Sequence, residues 1–226
     1  MKLFIVLEGP DGSGKSTIAN MLIAYLEEKG VKSVLTREPG GTSIGEDIRK
    51  ILLSNENDEM KNRTEALLYA AARAQHVEEK IKPLLEMDNI VISDRYVFSS
   101  LAYQGFARGV GIDEVMKINE FAMNNIYPDL ILFFDISPEV ALSRKFQGRE
   151  ADRIENAGDE FHKKVYKGYY EIIKKYKNNV VIINANGTVE ETFEQCKKVI
   201  DKICRNRRQL CLEMWNKCWF IKIYML

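Results

Sequence analysis

The sequence predicts an α/β fold in which a five-stranded parallel sheet is covered by helices on both faces. Three observations carry the prediction. Short, continuous apolar runs alternate with helix-period segments, a glycine-rich turn links the first run to the first helix, and 226 residues of 46% hydrophobic content fill one such core with little room for a second.

Each element follows in order. Leu3-Phe4-Ile5-Val6-Leu7 is apolar throughout, as a strand buried on both faces must be. It leads into Gly9-Pro10-Asp11-Gly12-Ser13-Gly14-Lys15-Ser16, with the spacing G-x-x-x-x-G-K-S, and then into helical spacing at Met21, Leu22 and Leu26, which Gly30 stops as a C′ glycine. Further strands are expected at 33–36, 90–93, 130–134 and 180–183. Helices are expected at 44–53, 63–87, 113–124, 138–146, 159–175 and 189–204. Local chemistry supports two of the starts: Ser137-Pro138 offers an N-cap with proline at N1, and Thr188 to Glu191 forms a capping box.

Composition narrows the function classes. The 33 Lys+Arg balance the 33 Asp+Glu, so no overall field draws the chain to nucleic acid or a membrane surface, and an anion site must be built locally. No apolar stretch is long enough to span a bilayer, and Met1-Lys2 runs straight into a strand, so no signal peptide is expected. Cys196, Cys204, Cys211 and Cys218 form no C-x-x-C pair and only two histidines accompany them, which argues against zinc or a disulfide framework and for a cytoplasmic location.

The chemistry collects at the carboxyl ends of the strands, where ligands bind such sheets. In the loop 9–17, Gly9, Pro10, Asp11, Gly12, Ser13, Gly14, Lys15, Ser16 and Thr17 are expected to cradle the phosphates of a nucleoside triphosphate. The glycines let backbone N–H groups converge, the new helix adds its positive end, Lys15 reaches the β- and γ-phosphates, and Ser16 ligates Mg²⁺. Arg37-Glu38-Pro39-Gly40-Gly41 follows the second strand, Asp94-Arg95-Tyr96 the third and Asp135 the fourth. Asp94 ends Ile90-Val91-Ile92-Ser93 as a Walker-B aspartate would and is the second expected Mg²⁺ residue.

These residues resemble the bacterial thymidylate kinases, which transfer the γ-phosphate of ATP to thymidine monophosphate (dTMP). The resemblance is carried by Glu8 to Thr17, by Thr36-Arg37-Glu38-Pro39-Gly40-Gly41-Thr42, by Asp94-Arg95-Tyr96 leading to Ser99-Ser100-Leu101-Ala102-Tyr103-Gln104-Gly105, and by Tyr127-Pro128-Asp129-Leu130. It implies a P-loop nucleoside-monophosphate-kinase fold, ATP and Mg²⁺ as cofactors, and a homodimer. It assigns Arg37, Arg49 and Arg95 to the dTMP phosphate, Asp11 to the sugar 3′-hydroxyl, Tyr69 to stacking on thymine and Arg73 to its O4. Tyr103 would crowd the sugar's 2′ side, Gln104 would bond the pyrimidine edge, and Ser100 joins the same site. Tyr69 stands where the family more usually has phenylalanine. Tyr69 and Arg73, four apart, share a side of their helix, and the stripe Leu67, Ala71, Ala74 and Ile81 is expected to take the core side.

One branch of the family carries an arginine after the P-loop acid; here that residue is Gly12. The resemblance then looks to a lid at about 143–156, where Arg144, Arg149 and Arg153 are candidates to stabilise the transferring charge, with Arg149 and Arg153 assigned to catalysis. The expected layout is a single kinase domain over 1–204 and a tail over 205–226 to which no role is assigned. Cys204, at the end of the domain, and Cys211 and Cys218 in the tail recur every seven residues. A kinase for another nucleotide or a deoxynucleoside is the alternative within enzymes, and a nucleotide-binding switch the alternative outside them; a switch has no need of Tyr69, Arg73 and Gln104.

Overall fold

The computed structural model describes residues 1–137, 140–141, 144 and 151–223, with side chains through Asn206. Five parallel strands, β1 (Leu3–Glu8), β2 (Ser33–Arg37), β3 (Ile90–Asp94), β4 (Leu130–Asp135) and β5 (Val180–Asn184), lie in the order β2-β3-β1-β4-β5. All five occupy the expected positions. The register sets Leu7 beside Asp94 on one side and beside Leu132 on the other, so the P-loop and the ends of β3 and β4 open at one edge.

Because successive strand residues face opposite ways, β1 divides its side chains between two cores. Leu3, Ile5 and Leu7 pack with Leu22 and Leu26 of α1 (Lys15–Glu28) and with Cys196 and Ile200 of the last helix. Phe4 and Val6 pack on the other face with Val77, Leu101, Val115 and Tyr169. That second layer holds α3 (Asn62–His76), α4 (Lys82–Glu86), α5 (Val97–Ser100), α6 (Ile112–Met123) and α7 (Asp159–Lys175), while α2 (Ser43–Leu53) packs along α3.

The caps agree with the sequence. Gly30 has φ +67° and donates to Glu27 O, and Thr188 and Glu191 bond reciprocally at 2.9 and 3.2 Å. Val140 N–H donates to Ser137 Oγ at 3.3 Å, while most of the expected helix 138–146 lies outside the described residues. The expected helix 63–87 forms, interrupted by a π-helical turn at Val77–Ile81. A second π-helical stretch, Leu101–Ala107, continues α5 in a segment to which the sequence reading gave no helix. The final helix, α8 (Val189–Ile223), passes through the expected end at 204.

One expectation fails on α3. Leu67 is 56% exposed and Ala71 is exposed, Ala74 is half-buried, and of the four expected residues only Ile81, beyond α3 in the π-helical turn, is buried in the core. The buried face is instead Ala66, Ala70, Arg73 and Val77, with Glu65 and His76 beside it. Apolar residues marked the wrong side because the inner face also lines a polar pocket, and its charges are neutralised by partners from distant segments.

Candidate active site

Two glycines shape the phosphate loop. Gly9, at φ +145°, passes so close to β4 that a Cβ would lie 2.8 Å from Phe134 O; at Gly12, φ +80°, a Cβ would lie 2.4 Å from Ala141 O. A loop arginine at position 12 is therefore excluded by backbone as well as by sequence. Lys15 Nζ donates to Gly9 O (2.9 Å), Pro10 O (2.8 Å) and Ser13 Oγ (3.2 Å). Burial, then the neighbouring Arg95 cation, lowers its pKa to about 8. Ser16 Oγ donates to Asp94 Oδ2 at 2.5 Å, while Asp94 Oδ1 is buried without a hydrogen-bond partner. A hydroxyl and an unsaturated carboxylate oxygen at the loop mouth suit a hard cation that takes its other ligands from phosphates and water.

A first cavity over the loop is lined by Gly12, Gly14, Lys15, Ser16, Thr17, Arg37, Arg49, Asp94, Arg95 and Arg144. A second, sharing Asp11, Arg49 and Arg95 with the first, runs deeper between α3 and the Tyr96–Gln104 segment, and Tyr69, Arg73, Ser100, Tyr103 and Gln104 line it. The structure thus brings the expected donor and acceptor residues into two connected chambers.

Arg95 stands where the chambers meet. Its backbone has φ +74°, a conformation that costs a non-glycine residue about 1–3 kcal/mol. Its N–H donates to Leu7 O (2.9 Å) and its carbonyl accepts from Ser93 Oγ (2.7 Å), which hold that geometry. The guanidinium reaches Gly9 O, Ser99 Oγ, Tyr169 OH and, at 2.5 Å, Asp11 Oδ1. Burial disfavours this cation, but the Tyr103, Asp11 and Tyr169 oxygens more than offset that and raise its pKa. Behind it lies Glu8, fully buried, whose carboxyl pKa is raised by burial and whose oxygens accept from Tyr96 N–H, Ser99 and Tyr169 OH. Arg37 is held by both oxygens of Glu46 (2.9 and 2.8 Å), and Arg49 donates to Pro39 O at 3.0 Å.

At the far end, Arg73 is 1% exposed. Its Nε donates to Glu38 Oε2 (2.8 Å), NH1 donates to Ser100 Oγ (3.1 Å) and Asn119 Oδ1, and NH2 lies 2.7 Å from Glu38 Oε2. Glu38 is braced in turn by His76, which also meets Thr36 Oγ1. A guanidinium has five N–H groups, so one directed from NH2 is left for a ligand. Tyr69 lines the same end, and burial raises its phenol pKa, keeping the ring neutral.

The lid expectations fare differently. Arg149 lies outside the described residues. Arg153 is buried away from the phosphate loop: NH1 pairs with Glu65 at 2.8 Å and Nε donates to Leu52 O at 2.8 Å. Arg144 lies against the loop, donating to Ala185 O, Asn186 O and Gly187 O. With Thr188, Val189 and Thr192 it lines a groove beside Gly12–Gly14. Sequence reading missed this groove because the end of β5 offers backbone carbonyls in place of charged side chains. Asp135 at the end of β4 accepts from Tyr166 (3.1 Å) and Tyr170 (2.6 Å), so it serves α7.

The thymidylate kinase family profile matches residues 7–196. A thymidylate kinase of Finegoldia magna is 52% identical over 200 residues, covering 88% of this chain and 98% of that protein. One from Clostridium novyi is 51% identical over 196 residues, covering 86% and 96%. The crystal structure of thymidylate kinase from Ehrlichia chaffeensis superposes with a TM-score of 0.72 at 31% identity, covering 88% of this chain and 98% of that one. With two chambers joined at Arg95 and a match along most of its length, this chain belongs to the thymidylate kinase family.

Proposed function

We propose that the chain transfers the γ-phosphoryl group of ATP to dTMP, giving ADP and thymidine diphosphate. The observation that carries this reading is the acceptor chamber. It opens onto the P-loop at Asp11 and Arg95, and it ends in Arg73 and Gln104, whose hydrogen-bonding chemistry suits a pyrimidine edge. Phosphoryl transfer asks for positioning and charge neutralisation more than for covalent catalysis, which suits a site made of loop amides, Lys15 and arginines. Ser16 and Asp94 would hold Mg²⁺, which would supply positive charge to offset that developing in the transfer. Arg95, Arg37 and Arg49 orient the acceptor phosphate as planar donors, and Asp11 meets the sugar. The groove of Arg144, Gly187 and Thr192 extends the donor chamber beyond the phosphates and accommodates the adenine.

We place the enzyme in the cytoplasm as a homodimer. Among the described residues no helix is long and apolar enough to cross a membrane. Ile44 and Ile51 of α2 and Leu67 of α3 are 54%, 46% and 56% exposed on packed neighbours, an apolar face that a second copy would cover. The test of function is ADP release across a panel of nucleosides and nucleoside monophosphates. dTMP should far exceed dCMP and unphosphorylated thymidine; comparable use of thymidine would overturn the acceptor assignment of the arginines. Light scattering after gel filtration tests the dimer, and a monomer at micromolar concentration would remove it.

A further inference from the structure

Glu65 takes no part in the chemistry above, yet it is 1% exposed and three basic or amide groups converge on it. Its Oε1 accepts from Gln104 Nε2 at 2.9 Å and from Arg108 Nε at 3.3 Å; its Oε2 pairs with Arg153 NH1 at 2.8 Å. These partners come from the π-helical stretch, the residue after it and the segment preceding α7, so one carboxylate on α3 joins all three.

A carboxylate between two guanidinium groups accepts hydrogen bonds and has none to donate. It therefore settles which way the Gln104 amide points. Nε2 must face Glu65, leaving Oε1, which is buried and has no hydrogen-bond partner, as an acceptor with unused capacity on a residue that lines the acceptor chamber. A buried carbonyl oxygen left in that state is unfavourable unless a ligand supplies a donor. We infer that Glu65 is a positioning residue for base choice: its charge, balanced by Arg108 and Arg153, holds Gln104 as an acceptor toward the pyrimidine.

The inference rests on Gln104 reading the pyrimidine edge, as proposed above. Thymine presents an N3–H donor and cytosine an N3 lone pair, so an amide oxygen fixed in place accepts the first and repels the second. An amide free to turn can meet both. Removing the Glu65 charge should thus relax selectivity, whereas a purely structural carboxylate would lower activity on both nucleotides alike.

The experiment measures kcat/KM for dTMP and dCMP in the wild type, Glu65→Gln, Gln104→Met and the double variant, with a melting curve for each. Glu65→Gln should lower the dTMP/dCMP preference by at least about tenfold, Gln104→Met should do likewise, and the double variant should fall no further than Gln104→Met. If Glu65→Gln folds and keeps the wild-type preference, or if the two effects multiply, the positioning role is overturned. If Gln104→Met keeps the preference, the base-reading assignment itself has failed, which is a distinct result. Should Glu65→Gln unfold, Glu65→Gln/Arg153→Met removes the charge with a counter-ion and is judged by the same ratio.

Discussion

Replacing Arg153 by alanine should cost stability before it costs catalysis. Arg153 is 8% exposed, and its partner Glu65 is 1% exposed. Removing one member of a buried pair typically costs about 3–5 kcal/mol, because the other charge is left uncompensated. Here Arg108 still approaches Glu65 at 3.3 Å, but it is itself 21% exposed and offsets only part of the loss, which leaves about 2–3 kcal/mol. Loss of the Nε bond to Leu52 O adds about 1 kcal/mol. At roughly 2–4 °C per kcal/mol for a chain of this size, a total near 3–4 kcal/mol lowers the melting temperature by about 6–16 °C. The assay is thermal and urea unfolding of the ligand-free protein, paired with steady-state kinetics. An unfolding midpoint within about 1 °C of wild type, together with a turnover loss approaching the 10³-fold or more of an arginine finger and an unchanged KM for dTMP, would refute this. It would mean that Arg153 leaves Glu65 to serve the transferring phosphate.

Three further outcomes are expected. Gly12→Ala forces a Cβ to within 2.4 Å of Ala141 O at φ +80°, so ATP-dependent turnover should fall at least about tenfold; wild-type kinetics would show that the loop does not pack there. Lys15 has its folded pKa lowered to about 8 from 10.5, so between those values only the unfolded chain keeps the proton, and this group's contribution to stability rises with pH through that window. A bound triphosphate favours the cation, so ATP binding at about pH 9 should take up a proton, seen by calorimetry in buffers of different ionisation enthalpy; absence of uptake there would contradict the lowered pKa. Truncation after Cys204 should leave turnover intact, because α8 docks through Cys196, Ile200 and the contacts of Asp201 with Tyr25 and Lys29, all before residue 205; a folded but inactive truncation would place the tail in the site.

What the sequence made legible is what local pattern encodes. Asp94 could be read as functional because it closes a short strand, Ile90-Val91-Ile92-Ser93, and Lys15 and Ser16 because their spacing from the glycines is mechanical. Glu65, Glu38 and His76 could not be read so. Charged residues at helical positions look solvated until partners distant in sequence bury them: Arg73 meets Glu38 from 35 positions away and Gln104 meets Glu65 from 39. The same fact turned Leu67 and Ala71 of the expected apolar stripe outward. The motif assigns Arg153 to the phosphates, and the fold instead pairs it with the buried Glu65 carboxylate and the Leu52 carbonyl.

From Leu101 to Ala107 the chain winds with i→i+5 bonds, one residue more per closed ring than an α-helix. Tyr103 and Gln104 lie inside this stretch. The acceptor chamber is thus counted as well as spelled. Delete a single residue between Leu101 and Tyr103 and the chain can settle into ordinary helical winding, turning everything beyond by about 100° against Ser100 and Arg95. Each remaining side chain would keep its chemistry while Gln104 swung away from the base. Between relatives, a one-residue gap in this segment therefore signals a change in recognition that a count of substitutions would not register.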